Sequence, residues 1–188
     1  MVDALKSYAM THQIPILSDE GLLLIKELIE KHHIKHVLEI GTAMGYSALQ
    51  MASYGCFVDT MERDLIMIDL AKDNFLAYDK NHHINLITAN ALDYQGPLKT
   101  YDLIFIDAAK AQYQKFFDKY VPYLNKEGLI VCDNLNFHHL DIHKVNRNTR
   151  QLIQKLNRFK EFLHDHPDFN TTFLNIGDGM SVTQRKKR

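Results

Sequence analysis

The sequence predicts one α/β domain over residues 1–188: an open seven-stranded sheet, mostly parallel, with helices on both faces and an antiparallel C-terminal hairpin. Three observations carry this expectation. Short apolar runs alternate with helical patterns over the first 130 residues, the order produced when parallel strands are joined by right-handed crossovers. Acids stand at or just beyond the ends of those runs, namely Glu39, Glu62, Asp107 and the pair Asp133-Asn134. A turn holding Gly41 and Gly45 follows the first run. Ligands of an open parallel sheet bind outside the carboxyl ends of its strands, so acids placed there converge on one crevice.

An amphipathic helix is expected over Asp19–His32, with Leu22, Leu23, Ile25, Leu28 and Ile29 at helical spacing behind a Ser18 cap. The first strand is His36–Ile40, and its glycine turn leads into a helix over Ser47–Tyr54. Strand two, Phe57–Met61, precedes a helix over Leu65–Asp79, and strand three is Asn85–Ala89. Strand four, Leu103–Ile106, precedes a helix around Gln112–Tyr123, and strand five is Gly128–Val131. A further helix over Asn148–His164 carries Leu152, Ile153, Leu156, Phe159 and Phe162 on one stripe. Two late strands, Thr171–Ile176 and Met180–Thr183, flank Gly177-Asp178-Gly179, a tight-turn composition that implies an antiparallel hairpin at the sheet edge. The irregular connection Leu135–Val145 holds His138, His139 and His143 and is expected to form a flap over the site.

A content of 46% apolar and 24% charged residues is that of a globular chain rather than a disordered one. The formal net charge of −1 gives no bulk attraction for nucleic acid. Its distribution is less even: His138–Arg188 holds ten Lys/Arg against five Asp/Glu, four of them the terminal Arg185-Lys186-Lys187-Arg188. A basic tail of that kind is most often a solvated end. No run of 18 apolar residues suggests a membrane span, and the N-terminus lacks a signal-peptide pattern. Cys56 and Cys132 fall in or beside buried strands and read as reduced thiols of a cytoplasmic protein.

The turn Gly41-Thr42-Ala43-Met44-Gly45 departs from the dinucleotide fingerprint, because its glycines are four apart and no third follows in register. No Gly-Lys-Ser/Thr phosphate cradle exists either. Glu62 lies 21 residues after Gly41 at the end of strand two, where a carboxylate can accept hydrogen bonds from both hydroxyls of a ribose. A nucleoside without pyrophosphate therefore fits better than a dinucleotide. Asn90-Ala91 sits where an adenine edge could be read.

Asp107, Asp133 and Asn134 offer two carboxylates and one amide oxygen from adjacent strand ends. All-oxygen ligands suit a hard cation such as Mg²⁺ rather than zinc, and three of them leave positions for water and a chelating substrate. Lys110 follows Asp107 by three residues; beside a divalent cation its neutral amine gains on the ammonium, which suits it to act as a base.

Glu39-Ile-Gly41-Thr-Ala-Met-Gly45-Tyr-Ser47, Ile106-Asp107-Ala-Ala-Lys110 and Val131-Cys-Asp133-Asn134 resemble the metal-dependent O-methyltransferases, the family of catechol and caffeoyl-coenzyme A methyltransferases. The likeness runs from Ile14-Pro15-Ile16-Leu17 to Gly177-Asp178-Gly179-Met180. Within the family, Asp107-Ala-Ala-Lys110-Ala-Gln-Tyr113 and the stretch from His166-Pro167-Asp168-Phe169 to Gly179 look most like the bacterial tRNA 5-hydroxyuridine methyltransferases. The resemblance implies a Rossmann-like class I methyltransferase fold and an S-adenosylmethionine site. Glu39 and Gly41 would lie along the methionine portion with Gly45 in the same turn, Ser47 near its carboxylate and Leu17 packed close by. Glu62 would take the ribose, Asn90 and Ala91 the adenine, and Asp107 would border the cofactor as well as the cation. Asp107, Asp133 and Asn134 would hold Mg²⁺ or another hard divalent cation, and Lys110 would be the catalytic base. The acceptor would be 5-hydroxyuridine at the tRNA wobble position, with Lys144, Arg147 and Arg150 as RNA contacts, and the protein a cytoplasmic homodimer. The chain departs from the family in a shorter N-terminal segment and a histidine-rich, glycine-poor stretch after Asn134.

Two rival functions stand beside this one. The first is an O-methyltransferase for a small catechol or phenylpropanoid, against which the basic C-terminal balance leans mildly. The second is a non-catalytic nucleotide-binding module, against which the Asp107, Asp133, Asn134 and Lys110 set argues, since a binder needs no such constellation.

Overall fold

The structure, a computed structural model, describes residues 2–136 and 145–187. The elements run α1 Val2–Thr11, α2 Asp19–His32, β1 His36–Ile40, α3 Tyr46–Ser53, β2 Phe57–Glu62, α4 Leu65–Tyr78, β3 Ile84–Thr88 and β4 Tyr101–Ile106. They continue α5 Tyr113–Tyr120, β5 Leu124–Cys132, α6 Arg147–His164, β6 Phe169–Leu174 and β7 Met180–Arg185. The seven strands form one sheet in the order β3-β2-β1-β4-β5-β7-β6. The pairings from β3 to β5 are parallel, and β7 runs antiparallel to both β5 and β6. This is the mostly parallel sheet with a C-terminal hairpin that strand–helix alternation predicts.

The central strands are buried on both faces, and their side chains alternate between two cores. Leu103, Phe105, Leu129 and Val131 pack with residues of α1, α2 and α3. Ile104, Ile106, Ile130 and Cys132 pack on the other face against α5 and α6 through Phe116, Phe117, Leu156 and Phe159. Cys56 and Cys132 are buried and free, as expected of core thiols. Among the described residues no helix is long and apolar enough to cross a membrane.

Local chemistry explains where elements begin. Ser18 accepts from the Gly21 N–H and Asp64 from the N–H groups of Ile66 and Met67, so α2 and α4 start at side-chain caps. Helix α1 was not anticipated; its Leu5 and Ala9 are buried in the α2–α3 core while Tyr8 and Met10 stay exposed. Strand β5 begins four residues earlier than periodicity suggests, at Leu124, because its first turn pairs with Tyr101 before a register shift. The helix expected around Gln112–Tyr123 is α5 flanked by 3₁₀ turns at Lys110–Gln112 and Val121–Tyr123. The hairpin connection is a five-residue loop closed by the Gly179 N–H on the Ile176 carbonyl.

The order of the sheet reverses between β1 and β4, whose crossovers leave in opposite directions. A crevice therefore opens at their carboxyl ends. Gly41, with φ +102, stands at that point, and a Cβ there would collide with the Asp107 carbonyl oxygen. Only glycine lets the two strand ends approach so closely.

Candidate functional site

The crevice is a cavity of about 600 Å³ lined by the ends of β1, β2, β4 and β5, by Pro15–Ser18 before α2, and by Gly177 and Asp178 of the hairpin loop. Leu17, Gly41, Ser47, Glu62, Asn90, Ala91, Asp107, Asp133 and Asn134 all line it. Sequence reasoning marked each of them, and the fold brings them together from seven separate stretches of chain.

Two marked residues stand behind the wall rather than on it. Glu39 is not at a strand end: it is the fourth residue of β1 and fully buried. Its carboxylate accepts from the hydroxyls of Ser47 and Thr60, and Thr60 is in turn 2.6 Å from the Thr42 hydroxyl. Glu39 itself does not line the cavity, whereas Ser47 and Thr42, to which it is linked through these hydroxyls, do. Burial pushes the Glu39 carboxyl up to about 8 against the opposing effect of the two hydroxyls. Gly45 is the N-cap of α3 at φ +87, where a Cβ would strike the Phe75 ring. It shapes the turn and does not touch the cavity.

Glu62 is more occupied than expected. One carboxylate oxygen accepts from Arg63 N and Asp64 N at 2.8 and 2.9 Å, and the other from Ala43 N at 2.9 Å. An ionised carboxylate offers about four acceptor positions, so capacity remains for a ligand hydroxyl on the second oxygen. The Asn90 amide is similarly engaged, donating to Asp93 at 2.7 Å and accepting from Leu92 N at 3.1 Å. It forms the turn after β3 more than it projects from it.

At the other end the backbone ladder carries past the strands: Asp107 N donates to the Ile40 carbonyl at 3.0 Å and Asp133 N to the Ile106 carbonyl at 3.1 Å. The Asn134 amide nitrogen bridges the two acids, 2.8 Å from Asp107 Oδ1 and 3.1 Å from Asp133 Oδ2. Asn134 takes φ +59, a left-handed conformation that asparagine tolerates better than most residues. Tyr113, buried in α5, donates to the Asp133 carbonyl at 2.9 Å and holds this turn. Leu135 N and Asn136 N bond to the carbonyls of Gly179 and Asp178. Burial raises the Asp107 carboxyl, and burial with Asp107 beside it pushes Asp133 up to about 7. Lys110 does not line the cavity, but its ammonium acts on both acids and favours their ionised forms.

Among the described residues no group of three or more His, Cys, Asp and Glu could hold a metal. The donors brought together at this end are the carboxylates of Asp107 and Asp133 and the amide of Asn134, with Asp178 of the hairpin loop also on the cavity wall and close enough to act on Asp133. They fit a hard cation in kind: the carboxylates repel one another, and the amide nitrogen sits where a positive charge would relieve them. A half-turn of the Asn134 amide exchanges its nitrogen for its oxygen at the same place.

Arg147 and Arg150 lie exposed on the first turn of α6. Lys144 and the three flap histidines fall outside the described residues. Thr42, Thr60, Tyr113 and Asp178 were not marked from sequence. Buried hydroxyls that work through another side chain carry no spacing signal, and Asp178 registers only as a turn residue.

A family model described as O-methyltransferase matches residues 3–186. A Staphylococcus aureus structure, proposed to be a caffeoyl-CoA O-methyltransferase, is 40% identical, with 98% of this chain and 92% of that chain covered and a TM-score of 0.90. The tapetum-specific methyltransferase 1 of Arabidopsis thaliana is 27% identical, covering 96% of this chain and 82% of that protein. The O-methyltransferase from Bacillus cereus in complex with SAH shares the fold, with a TM-score of 0.83 at 23% identity over 98% of this chain and 90% of that one.

Proposed function

The chain belongs to the O-methyltransferase family, and from that premise we propose that it transfers a methyl group from S-adenosylmethionine to the 5-hydroxyl of 5-hydroxyuridine at the tRNA wobble position, with the aid of a divalent cation such as Mg²⁺. The observation that carries the reading is the pairing, in one cavity, of a nucleoside-type end at Glu62 with the Asp107–Asp133–Asn134 end that Lys110 flanks.

In this reading Glu62 accepts from the ribose, Asn90 and Ala91 border the adenine, and Ser47, Gly41 and Leu17 enclose the methionine portion. Glu39 and Gly45 shape that end from behind. Asp107, Asp133 and Asn134 hold the cation, which when bound supplies the positive charge that makes an acceptor hydroxyl more acidic. With the cation in place Lys110 would be held as the neutral amine, and its Nζ would take the hydroxyl proton as the oxygen–carbon bond forms, the carbon–sulfur bond of the sulfonium breaks and S-adenosylhomocysteine leaves. Much of the acceleration comes from holding acceptor and methyl group in line.

A 5-hydroxyuracil ring sets its hydroxyl beside a carbonyl, the same pair of vicinal oxygens that a catechol offers. Support for the RNA acceptor comes from the motif likeness around Asp107–Tyr113 and from Arg147 and Arg150, exposed at the start of α6, with Lys144 preceding them in sequence. The same reading makes the protein a cytoplasmic homodimer. The caffeoyl-CoA description of the 40%-identical relative favours a second reading, methylation of a small catechol or phenylpropanoid.

The test is binding of S-adenosylmethionine by calorimetry, followed by methyl transfer to bulk 5-hydroxyuridine-containing tRNA and to a simple catechol, each with and without Mg²⁺. Faster turnover of tRNA, weakened steeply by salt through loss of counterion release, supports the RNA acceptor. Replacing Arg147 and Arg150 together should flatten that salt slope. Faster turnover of catechol selects the second reading, and absence of cofactor binding rejects both.

A further inference from the structure

Gln112 lines the crevice, yet its Oε1 is buried without a hydrogen-bond partner. A buried amide oxygen in that state is costly unless something else completes it. Its position suggests what that is. Gln112 closes the 3₁₀ turn that runs directly into α5, four residues before Phe116, which also lines the crevice. Gln112 is the N-cap of α5, so both side chains open onto the crevice from the same end of that helix. Phe116 packs in the same core as Ala91, and the Ala91 carbonyl accepts from Tyr120 of α5 at 2.6 Å. The Gln112–Phe116 pair therefore stands across from the turn after β3, and β3 neighbours β2, whose last residue is Glu62. A nucleoside whose ribose meets Glu62 sends its base into this gap.

We propose that Gln112 is a specificity-determining residue that reads the exocyclic amine of the cofactor's adenine. The proposal rests on the S-adenosylmethionine reading above. A carboxamide carries one acceptor beside one donor group. Adenine carries the complement, an N–H donor at N6 with a ring-nitrogen acceptor beside it, which is why glutamine pairs with adenine through two hydrogen bonds. Hypoxanthine has a carbonyl where adenine has the amine. On the N6/N7 edge it offers two acceptors, so the amide can donate to one of them but its Oε1 stays unpaired in either orientation. Phe116 forms the apolar floor beside the amide and Gln112 supplies the choice between bases.

Calorimetric titration with S-adenosylhomocysteine and S-inosylhomocysteine tests this on the wild-type protein, Gln112→Met and Gln112→Glu, with circular dichroism confirming that each is folded. The wild type should prefer the adenosyl compound by roughly tenfold to a hundredfold. Gln112→Met keeps the length but not the polar pair, so it should weaken the adenosyl compound and leave the inosyl one nearly unchanged, bringing the ratio toward one. Gln112→Glu keeps the acceptor for the amine but opposes a carboxylate to the ring nitrogen, and should fall between them. Equal wild-type affinities, or a Gln112→Met ratio like the wild type's, would overturn the assignment while leaving the cofactor reading intact. Wild-type protein that binds neither compound would overturn both.

Discussion

At the Glu62 end of the crevice three backbone N–H groups converge on one carboxylate, whereas at the Asp107–Asp133 end two carboxylates share one amide. The first arrangement fills three of about four acceptor positions and keeps one for a ligand. Its turns are fixed by glycines that only a missing Cβ permits, and Glu39 behind it is bonded by two hydroxyls. The second has excess negative charge, a left-handed asparagine and an acid pushed up to about 7. One end is mostly satisfied by its own backbone; the other gains from an added cation. Binding and chemistry should therefore separate on substitution.

The largest effect should come from the Asp107–Asp133 end. Asp133→Ala removes a proposed ligand without touching the nucleoside end. Loss of several kcal/mol of charge stabilisation corresponds to a fall in methyl transfer of roughly a thousandfold, with S-adenosylmethionine affinity by calorimetry nearly unchanged. Chelator on the wild type should reproduce this. Full activity in either experiment would end the metal reading.

Lys110→Met comes next, with a loss of about 10²–10⁴-fold, the range for a positioned base. Residual activity should climb with pH as the acceptor hydroxyl ionises unaided, and cofactor affinity should hold. A neutral-pH rate equal to the wild type's would make Lys110 a bystander to the Asp107–Asp133 pair.

Substitution at the Glu62 end should show the reverse split. Glu62→Ala strands the N–H groups of Ala43, Arg63 and Asp64 and removes the ribose acceptor, costing about 1–3 kcal/mol of cofactor binding, roughly tenfold to a hundredfold. The rate at saturating cofactor should change far less. An unaltered dissociation constant would show that Glu62 serves only its own turn.

The last effect concerns Glu39 and falls on stability, leaving rate and affinity aside. Its carboxyl, raised to about 8 chiefly by burial, titrates near pH 4 when unfolded. The folded state then binds more protons than the unfolded one between those values, so stability present at low pH is lost as pH rises from about 4 to about 8. Glu39→Gln resembles the protonated acid and should melt on the order of 10 °C above the wild type at pH 8 and at the same temperature near pH 4. Parallel melting curves at both pH values would show that the buried acid stays ionised between Ser47 and Thr60.

The sequence by itself determined the sheet and most of the crevice. Strand-length apolar runs alternating with helical stripes admit few other topologies, and a site built from strand ends sits wherever those runs stop. The bounds of α2 and β1 and the wall positions of Glu62, Asp107 and Asp133 follow directly. Helix α1 escaped because its short stripe gains meaning only when Leu5 and Ala9 meet the α2–α3 core. Only the tertiary structure decided that Glu39 stands behind the wall and Gln112 on it. A strand acid reads the same whether it faces ligand or a buried hydroxyl, and that choice depends on Ser47 and Thr60, brought from α3 and β2. In the same way, a glutamine in a helical turn looks like surface until α5 packs against the turn after β3 and leaves its oxygen unpaired beside the crevice.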